Sequence, residues 1–335
     1  MPRVTTRIAT HDATLQAVVI SRLPLHYATG EDTAQDRPAH VRAASSITWI
    51  DHRIALVQDD TNFIALLQPG DGSVHPIALP RGEGGLRQFD DGRGNKNFKL
   101  DLEACAALLG EHESSLLAFG SGSKKRRRNV AVVDRWNHDE PRVQLHDATT
   151  LYETLEAEVA FAGSDMNIEG ALVTGDCLRF FGRGNGKPRR GLVPLNATCE
   201  LRVDQLLAYL DNTSSTRPPT PTRVVQYELG QLGGIAIGFT DAASFGDQTL
   251  YSAAAEATDD ASEDGPVGGS VLGVIDPRGT VRYTSIVDVT GQAFVEKVEG
   301  VVLSPSDPKR AFIVIDPDDA TRPAELCEVE LLGSW

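Results

Sequence analysis

Two stretches of this chain lie over one another without a gap. Leu116-Leu-Ala-Phe-Gly-Ser-Gly-Ser-Lys-Lys-Arg-Arg-Arg-Asn-Val-Ala-Val-Val-Asp134 matches Leu178-Arg-Phe-Phe-Gly-Arg-Gly-Asn-Gly-Lys-Pro-Arg-Arg-Gly-Leu-Val-Pro-Leu-Asn196, and both read as strand, glycine-rich basic loop, strand. Such self-similarity means that one supersecondary unit recurs and that its copies bury their apolar faces against each other. Each stretch follows a short strand with a polar opening, Asp101-Leu-Glu-Ala in one case and Asn167-Ile-Glu-Gly in the other. The opening recurs as Thr240-Asp-Ala-Ala ahead of Leu250-Tyr-Ser-Ala, and as Lys297-Val-Glu-Gly ahead of Ala311-Phe-Ile-Val-Ile. A more diverged copy runs from Ser45-Ser-Ile-Thr-Trp through Arg53-Ile-Ala-Leu-Val to Phe63-Ile-Ala-Leu-Leu, with Ser46 where the others carry a carboxylate.

Each copy holds short runs of Val, Ile, Leu, Phe and Tyr bounded by Gly, Asp, Asn or Pro, the pattern of strands joined by tight turns. Four strands fit one copy; in the fourth they are expected near 241–246, 249–255, 269–275 and 280–287. Radial repetition of four-stranded units predicts an all-β fold, a β-propeller of about five blades with six as the alternative. The unit spans roughly 55 to 70 residues, longer than the usual 40 to 50, so long loops are inserted. The last copy supplies only three strands, ending with Glu325-Leu-Cys-Glu-Val-Glu-Leu331, and Leu15-Gln-Ala-Val-Val-Ile20 is available to close the ring as its outer strand. Leu151–Ala157 and Val203–Leu210 read as short helices between repeats. Repeats flank the Pro-rich stretch 212–222 on both sides, so residues 1–335 are expected to form one domain.

A formal charge of −15 disfavours nucleic acid and anionic membrane as partners, since either needs a basic surface. The amino-terminal segment has no basic stretch followed by an apolar core, which is the expectation for a cytoplasmic chain. The four cysteines lie far apart with no Cys-x-x-Cys pair, so they read as small buried residues rather than a zinc or disulfide framework.

The first strand of each blade lines the central channel, and the loop after the second strand lies at the same end. Glu103, Glu169, Asp241 and Glu299 begin first strands, so they are expected to ring the channel mouth as metal ligands or general base. The loops after second strands add Asp59, Asp60, Glu256, Asp316, Asp318 and Asp319, of which Glu256 is a further candidate ligand. Converging carboxylates repel unless protonated or neutralised. Because all eight histidines precede residue 147, a His-rich site drawing on every blade is excluded, and oxygen ligands favour Ca²⁺ ahead of Mg²⁺. Asp260-Ala-Ser-Glu-Asp-Gly265 matches the first half of a calcium loop, with Val271 in place of the closing Glu. Channel-facing carboxylates that only accept backbone hydrogen bonds are the competing explanation.

The basic loops add Lys124, Lys125, Arg126, Arg127 and Arg128 from one copy and Arg183, Asn185, Lys187, Arg189 and Arg190 from the next. Guanidinium groups suit phosphate or carboxylate, so Arg127, Arg128, Arg183, Asn185, Arg189 and Arg190 are candidate substrate contacts for a small anionic ligand. A solvated charge run is the alternative. No P-loop and no Gly-x-Ser-x-Gly elbow occurs.

Asn167-Ile-Glu-Gly, Phe119-Gly-Ser-Gly-Ser, Gly238-Phe-Thr-Asp-Ala and Lys297-Val-Glu-Gly together resemble an uncharacterised bacterial β-propeller family over most of the chain. The Glu-Gly openings also resemble the β-propeller phytases and phytase-like esterases, which bind calcium at the propeller mouth. That resemblance implies hydrolysis of a phosphate ester or related anionic ester by a metal-activated water. Lactonase-type propellers, with acidic and amide ligands around one calcium, match to a similar extent. The expected function is therefore a cation-dependent hydrolase of a small anionic ester, phosphate ester or lactone. The alternative is a non-catalytic propeller that binds a ligand or protein partner on the same face.

Overall fold

The computed structural model describes residues 4–110, 113–136, 141–258 and 265–335. The amino-terminal segment does more than supply a last strand. Thr5–Ile8 pairs in parallel with Val225–Glu228, and Ala9–His11 pairs in parallel with Val281–Tyr283. The chain then turns, and Gln16–Pro24 pairs antiparallel with Glu325–Leu332, with Ala17–Val19 also touching Ile286–Asp288 in parallel. The expected pairing of the amino terminus with the last repeat is present. The stitching across the two preceding repeats was not foreseen.

The strands fall into five antiparallel units in chain order. The first comprises Ala44–Ile50, Arg53–Gln58, Phe63–Gln68 and Ser73–Ala78. The second comprises Leu102–Leu108, Ser115–Gly120, Asn129–Asp134 and Arg142–Asp147. The third comprises Ile168–Thr174, Cys177–Gly182, Asn196–Arg202 and Thr222–Glu228. The fourth comprises Ile235–Phe245, Gln248–Glu256, Val267–Ile275 and Val281–Asp288. Its first strand begins at Ile235, ahead of the expected start at 241. The fifth comprises Val298–Leu303, Arg310–Ile315 and Glu325–Leu332, with Gln16–Pro24 as its outer strand.

The innermost strands of successive units pack side by side, and the fifth lies against the first. Strands rich in Val, Ile, Leu and Ala bury both faces, which a unit can do only between neighbours. Five apolar clusters accordingly occupy the seams. Leu66 and Leu116 belong to the cluster between units one and two, Phe119 and Phe180 to the next, and Phe239 and Tyr251 to the third. Leu272 and Ile313 share the fourth, and Ile54 packs with Val314 in the fifth, between the last unit and the first. Thr149–Ala157 and Val203–Asp211 are helical and set Tyr152, Leu155, Leu206 and Tyr209 into the second of these cores. The first helix lies between units, as expected. The second lies inside the third unit, before its outer strand.

Candidate functional site

Each innermost strand carries one extra residue relative to its neighbour, close to its amino-terminal end in four of the units and mid-strand in unit four. In unit two, Leu102 pairs with Gly120 and Ala104 with Phe119, so Glu103 bulges out of the ladder. The same two-against-one count isolates Glu169 between Ile168 and Gly170, and Glu299 between Val298 and Gly300. In units one and four the extra residue is Ser45 and Thr240. A bulge turns a side chain away from the face that strand alternation would give it. It thereby carries three glutamates from three different units towards one axis.

The glycines after two of these glutamates have a packing reason. A Cβ on Gly170 would stand 3.1 Å from Cα of Asp241, and one on Gly300 would stand 3.1 Å from the backbone nitrogen of Ile47. The Glu-Gly pair thus joins a bulged carboxylate to a close approach of the next strand.

Glu103, Glu169 and Glu299 line a cavity of about 40 Å³ together with Asp59, Glu256, Asp316 and the cationic groups Lys99, Arg127, Arg183 and Lys297. Asp101, Asn167, Asn185 and Ser45 complete most of the wall. Asp101, Asn167 and Lys297 stand two residues before the three bulged glutamates. Asp101 has a left-handed backbone (φ 58), a conformation that few non-glycine residues other than Asn and Asp adopt.

Three of the four cations cross the seams. Lys99 pairs with Asp59 of unit one and with Asp101 of unit two, the latter at 2.8 Å. Arg127 reaches Asp101 at 2.9 Å, and Ser121 also donates to that carboxylate. Arg183 of unit three holds Glu256 of unit four at 2.6 Å and stands 3.5 Å from Glu169. Lys297 holds Glu299 at 2.9 Å and lies 3.6 Å from Glu256. Asn167 donates from Nδ2 to Glu169 at 2.5 Å.

Seven carboxylates against four cationic groups leave an excess of negative charge. Burial pushes Glu169 up to about 8, with Arg183 offsetting only part of that cost. Burial raises Glu103 well above the ordinary carboxylate range, and Asp59, Asp101 and Glu169 raise it further. Burial lifts Asp59 to about 7 despite Lys99, and it lifts Glu299 despite Lys297. For Asp101 the opposite balance holds: burial acts to raise it, but Lys99 and Arg127 prevail and keep it at about 2. Glu103 makes no hydrogen bond or ion pair among the described residues, and Glu299 Oε2 is buried with no hydrogen-bond partner. Carboxylate oxygens of Asp59, Asp101 and Glu103 lie within 4.8 Å of one another, close enough to share an ion.

An outer cleft of about 300 Å³ adjoins the cavity, and Asp59, Lys99 and Asp316 line both spaces. Asp60, Asp90, Asp91, Asp318 and Asp319 make the cleft acidic, with Arg42 held by Asp60 and Asp90.

Several expected site residues lie elsewhere. Asp241 does not line the cavity; it is fully buried beneath it, where its Oδ2 accepts from the backbone amides of Ile47 at 3.3 Å and Val301 at 3.1 Å. The position matching the bulged glutamates in unit four is Thr240, one residue earlier, and in unit one it is Ser45 rather than Ser46. Arg128 pairs with Glu156, Arg189 pairs with Asp165 at 3.2 Å, and Arg190 sits exposed; none of the three lines the cavity. Arg127, Arg183 and Asn185 do line it, but the two arginines are engaged by carboxylates. Residues 260–264 of the expected calcium loop lie outside the described residues. Lys99, Asp101, Asn167 and Lys297 were not expected.

A family model covers residues 40–331, from the first repeat into the last strand. The chain belongs to DUF6929, a family of unknown function. No curated protein matches it. Among solved structures, this DUF6929 chain is similar to a GH43 β-1,3-galactosidase at 13% identity and a TM-score of 0.52, covering 96% of this chain and 63% of that one. That likeness concerns fold alone, and this chain spans less than two thirds of that protein. A luciferin-regenerating enzyme (9% identity, TM-score 0.41, 88% and 94% coverage) and a putative gluconolactonase (9%, 0.38, 97% and 96%) are more distant. The neighbours are propeller-like proteins, in keeping with the all-β architecture.

Proposed function

We propose that the chain is one five-bladed β-propeller domain closed by Gln16–Pro24, and that its axial cavity binds a divalent cation, calcium ahead of magnesium, to hydrolyse a small ester, phosphate ester or lactone. The observation that carries this reading is the convergence of Glu103, Glu169 and Glu299, at one equivalent bulge in three blades, on a cavity with more carboxylates than cations. Lys99, Arg183 and Lys297 each bridge two units, whereas Arg127 pairs with Asp101 of its own unit. Glu103, with carboxylate oxygens of Asp59 and Asp101 within 4.8 Å, would hold the ion, and Glu169, the free oxygen of Glu299, Asn167 and Asn185 line the same cavity around it. Such a mixed carboxylate and amide set fits calcium.

A divalent ion there would lower the pKa of bound water and offset charge on an ester oxygen. Asp59, with a pKa near 7 on the wall shared with the outer cleft, suits general acid–base work at neutral pH. The cleft gives a substrate its way in. Because Arg127 and Arg183 already serve carboxylates, the anionic character first expected of the substrate loses its clamp, and an ester or lactone without a second negative charge fits better.

The bridging cations also support a second reading, in which the cluster only ties the blades together beneath a non-catalytic binding face. The two readings separate in one experiment. Protein stripped with chelator is titrated with Ca²⁺ and Mg²⁺ by calorimetry and thermal melting, then assayed on a panel of aryl esters, aryl phosphates and lactones. Saturable binding, a higher melting temperature and calcium-dependent turnover lost in Glu103→Gln would support the hydrolase. A melting temperature indifferent to both ions and to chelator would sink the cation site and leave the binding module.

A further inference from the structure

A second polar cleft, of about 270 Å³, lies between units three and four at the strand ends remote from the bulges. Its walls come from the turn 246–247, the turn 276–279, the third unit's second and third strands, and the amino-terminal strand Thr5–His11. Three arginines share it. Arg179 donates to Glu200 Oε1 through Nε at 3.1 Å and Nη2 at 2.6 Å. Arg223 donates from Nη1 to Glu200 Oε2 at 3.2 Å. Arg7 donates from Nη1 to the carbonyl of Arg278 at 3.0 Å.

These bonds leave Nη1 of Arg179, Nε and Nη2 of Arg223, and Nε and Nη2 of Arg7 without partners among the described residues. Glu200 is buried and answers only part of the positive charge. Asp276 is occupied by the backbone amide of Thr280 at 2.7 Å, and Asp247 sits on the turn 246–247. Two backbone features accompany the arrangement. Arg223 holds a left-handed backbone (φ 48), a costly conformation for arginine, at the start of its strand. Gly279 (φ 84) lies directly under the Arg7 guanidinium, where a Cβ would fall 1.3 Å from Nη1. In a protein of net charge −15, this cleft sets three guanidinium groups against three carboxylates, those of Glu200, Asp247 and Asp276.

We propose that this cleft is an anion-binding site, separate from the axial cavity, for a small ligand carrying a phosphate or carboxylate group. Planar guanidinium forks match the paired oxygens of both groups, and donors from three chain segments can meet one anion from three sides. The amino-terminal strand supplies one of the three, so the site exists only when that strand is docked across units three and four.

The test is calorimetric titration of the full chain with inorganic phosphate and with malonate, with chloride held constant. Arg7→Gln and Arg223→Gln are the informative variants, because Arg179 also anchors buried Glu200. Arg126→Gln, on a distant loop, is the control. Saturable binding of phosphate or malonate is expected, weakened roughly tenfold or more in the Arg7→Gln/Arg223→Gln double variant and unchanged in Arg126→Gln. Preference between the two probes assigns the ligand class. No saturable heat with either probe in a protein of native melting temperature, or binding that survives the double variant, would overturn the proposal and reduce the arginines to a structural ion-pair cluster.

Discussion

The two ends of the five innermost strands have opposite chemistry. At the bulged end, seven carboxylates and four cationic groups crowd a cavity of about 40 Å³. At the other end, a space of about 250 Å³ is lined by Ile47, Trp49, Ala106, Leu172, Ala242 and Val302 and has no charged lining residue. Between them stands Asp241, with Ser46 and Cys105 joined at 3.4 Å. A strand that alternates regularly sends small and apolar residues to the axis. One extra residue per strand is enough to send Glu103, Glu169 and Glu299 there instead. The polar end is thus a local departure from a repeat that would otherwise make an apolar channel throughout, and departures of this kind concentrate at functional sites.

The sharpest way to break the contrast is to remove its divider. Asp241 accepts from backbone amides on two other innermost strands, at Ile47 and Val301. Asp241→Ala leaves both donors buried and unpaired, at about 1–3 kcal/mol each. A fall of that combined order in urea-unfolding free energy is expected, with Asp241→Asn milder because the amide keeps one acceptor oxygen. Stability unchanged in Asp241→Ala would mean that the axial residues do not bind the blades together.

The next effect separates repulsion from ligation. Calcium at a hundredfold excess over its Kd should stabilise the fold by about 2.7 kcal/mol, because it binds only the folded chain. Glu169→Gln should shrink that gain while leaving the stripped protein at least as stable as wild type at pH 8.5, since a buried repelling charge has been removed. A variant that loses metal-free stability instead would show Glu169 to be a structural anchor.

How much of this was legible depends on what a bulge does to a pattern. The repeat, most strands, the pairing of the amino terminus with the last unit, and Glu103, Glu169 and Glu299 all follow from recurring local sequence. The mistaken residues, Asp241 for Thr240 and Ser46 for Ser45, are each off by one. Matching carboxylate to carboxylate hides the extra residue, and a one-residue slip in a strand moves every side chain to the other face. Asp101, Asn167 and Lys297 carried a readable signal, each two residues before a bulged glutamate. Lys99 carried none, because it lies before the strand and reaches Asp59 only through the fold. The basic loops align well, yet only Arg127 and Arg183 turn inward, a choice made by buried partners and invisible in a charge run.

Acidity offers a gentler probe of the same end. Glu169 titrates at about 8 in the fold against an ordinary 4.5, and Asp59 at about 7 against 3.8. The folded state therefore holds protons that the unfolded chain has released. Stability from these groups is complete below pH about 4 and drains away as pH rises to about 8. Chemical denaturation of stripped protein should show stability falling between pH 5 and 8, and saturating calcium should flatten the slope by replacing the protons. A rise over that interval, with or without calcium, would contradict a surplus of buried carboxylates.

The smallest expected effect concerns the arginines that align best in sequence. Arg128 is tied to Glu156, whose side chain is largely exposed, and Arg190 is itself exposed, and neither lines the acidic cavity. Arg128 is itself buried and its loss costs some stability, but neither arginine touches the residues of the acidic cavity. Arg128→Ala with Arg190→Ala should therefore leave calcium affinity at the axial cavity and turnover of any neutral ester within twofold of wild type. Arg183→Ala is the contrasting variant: it takes the paired cation from Glu169 and leaves Glu256 with Lys297 alone in a buried setting, and it should raise calcium affinity while lowering metal-free stability. A strong loss of ligand binding in the double variant, with Arg183→Ala silent, would move the working surface from the axis out to the basic loops and restore an anionic substrate.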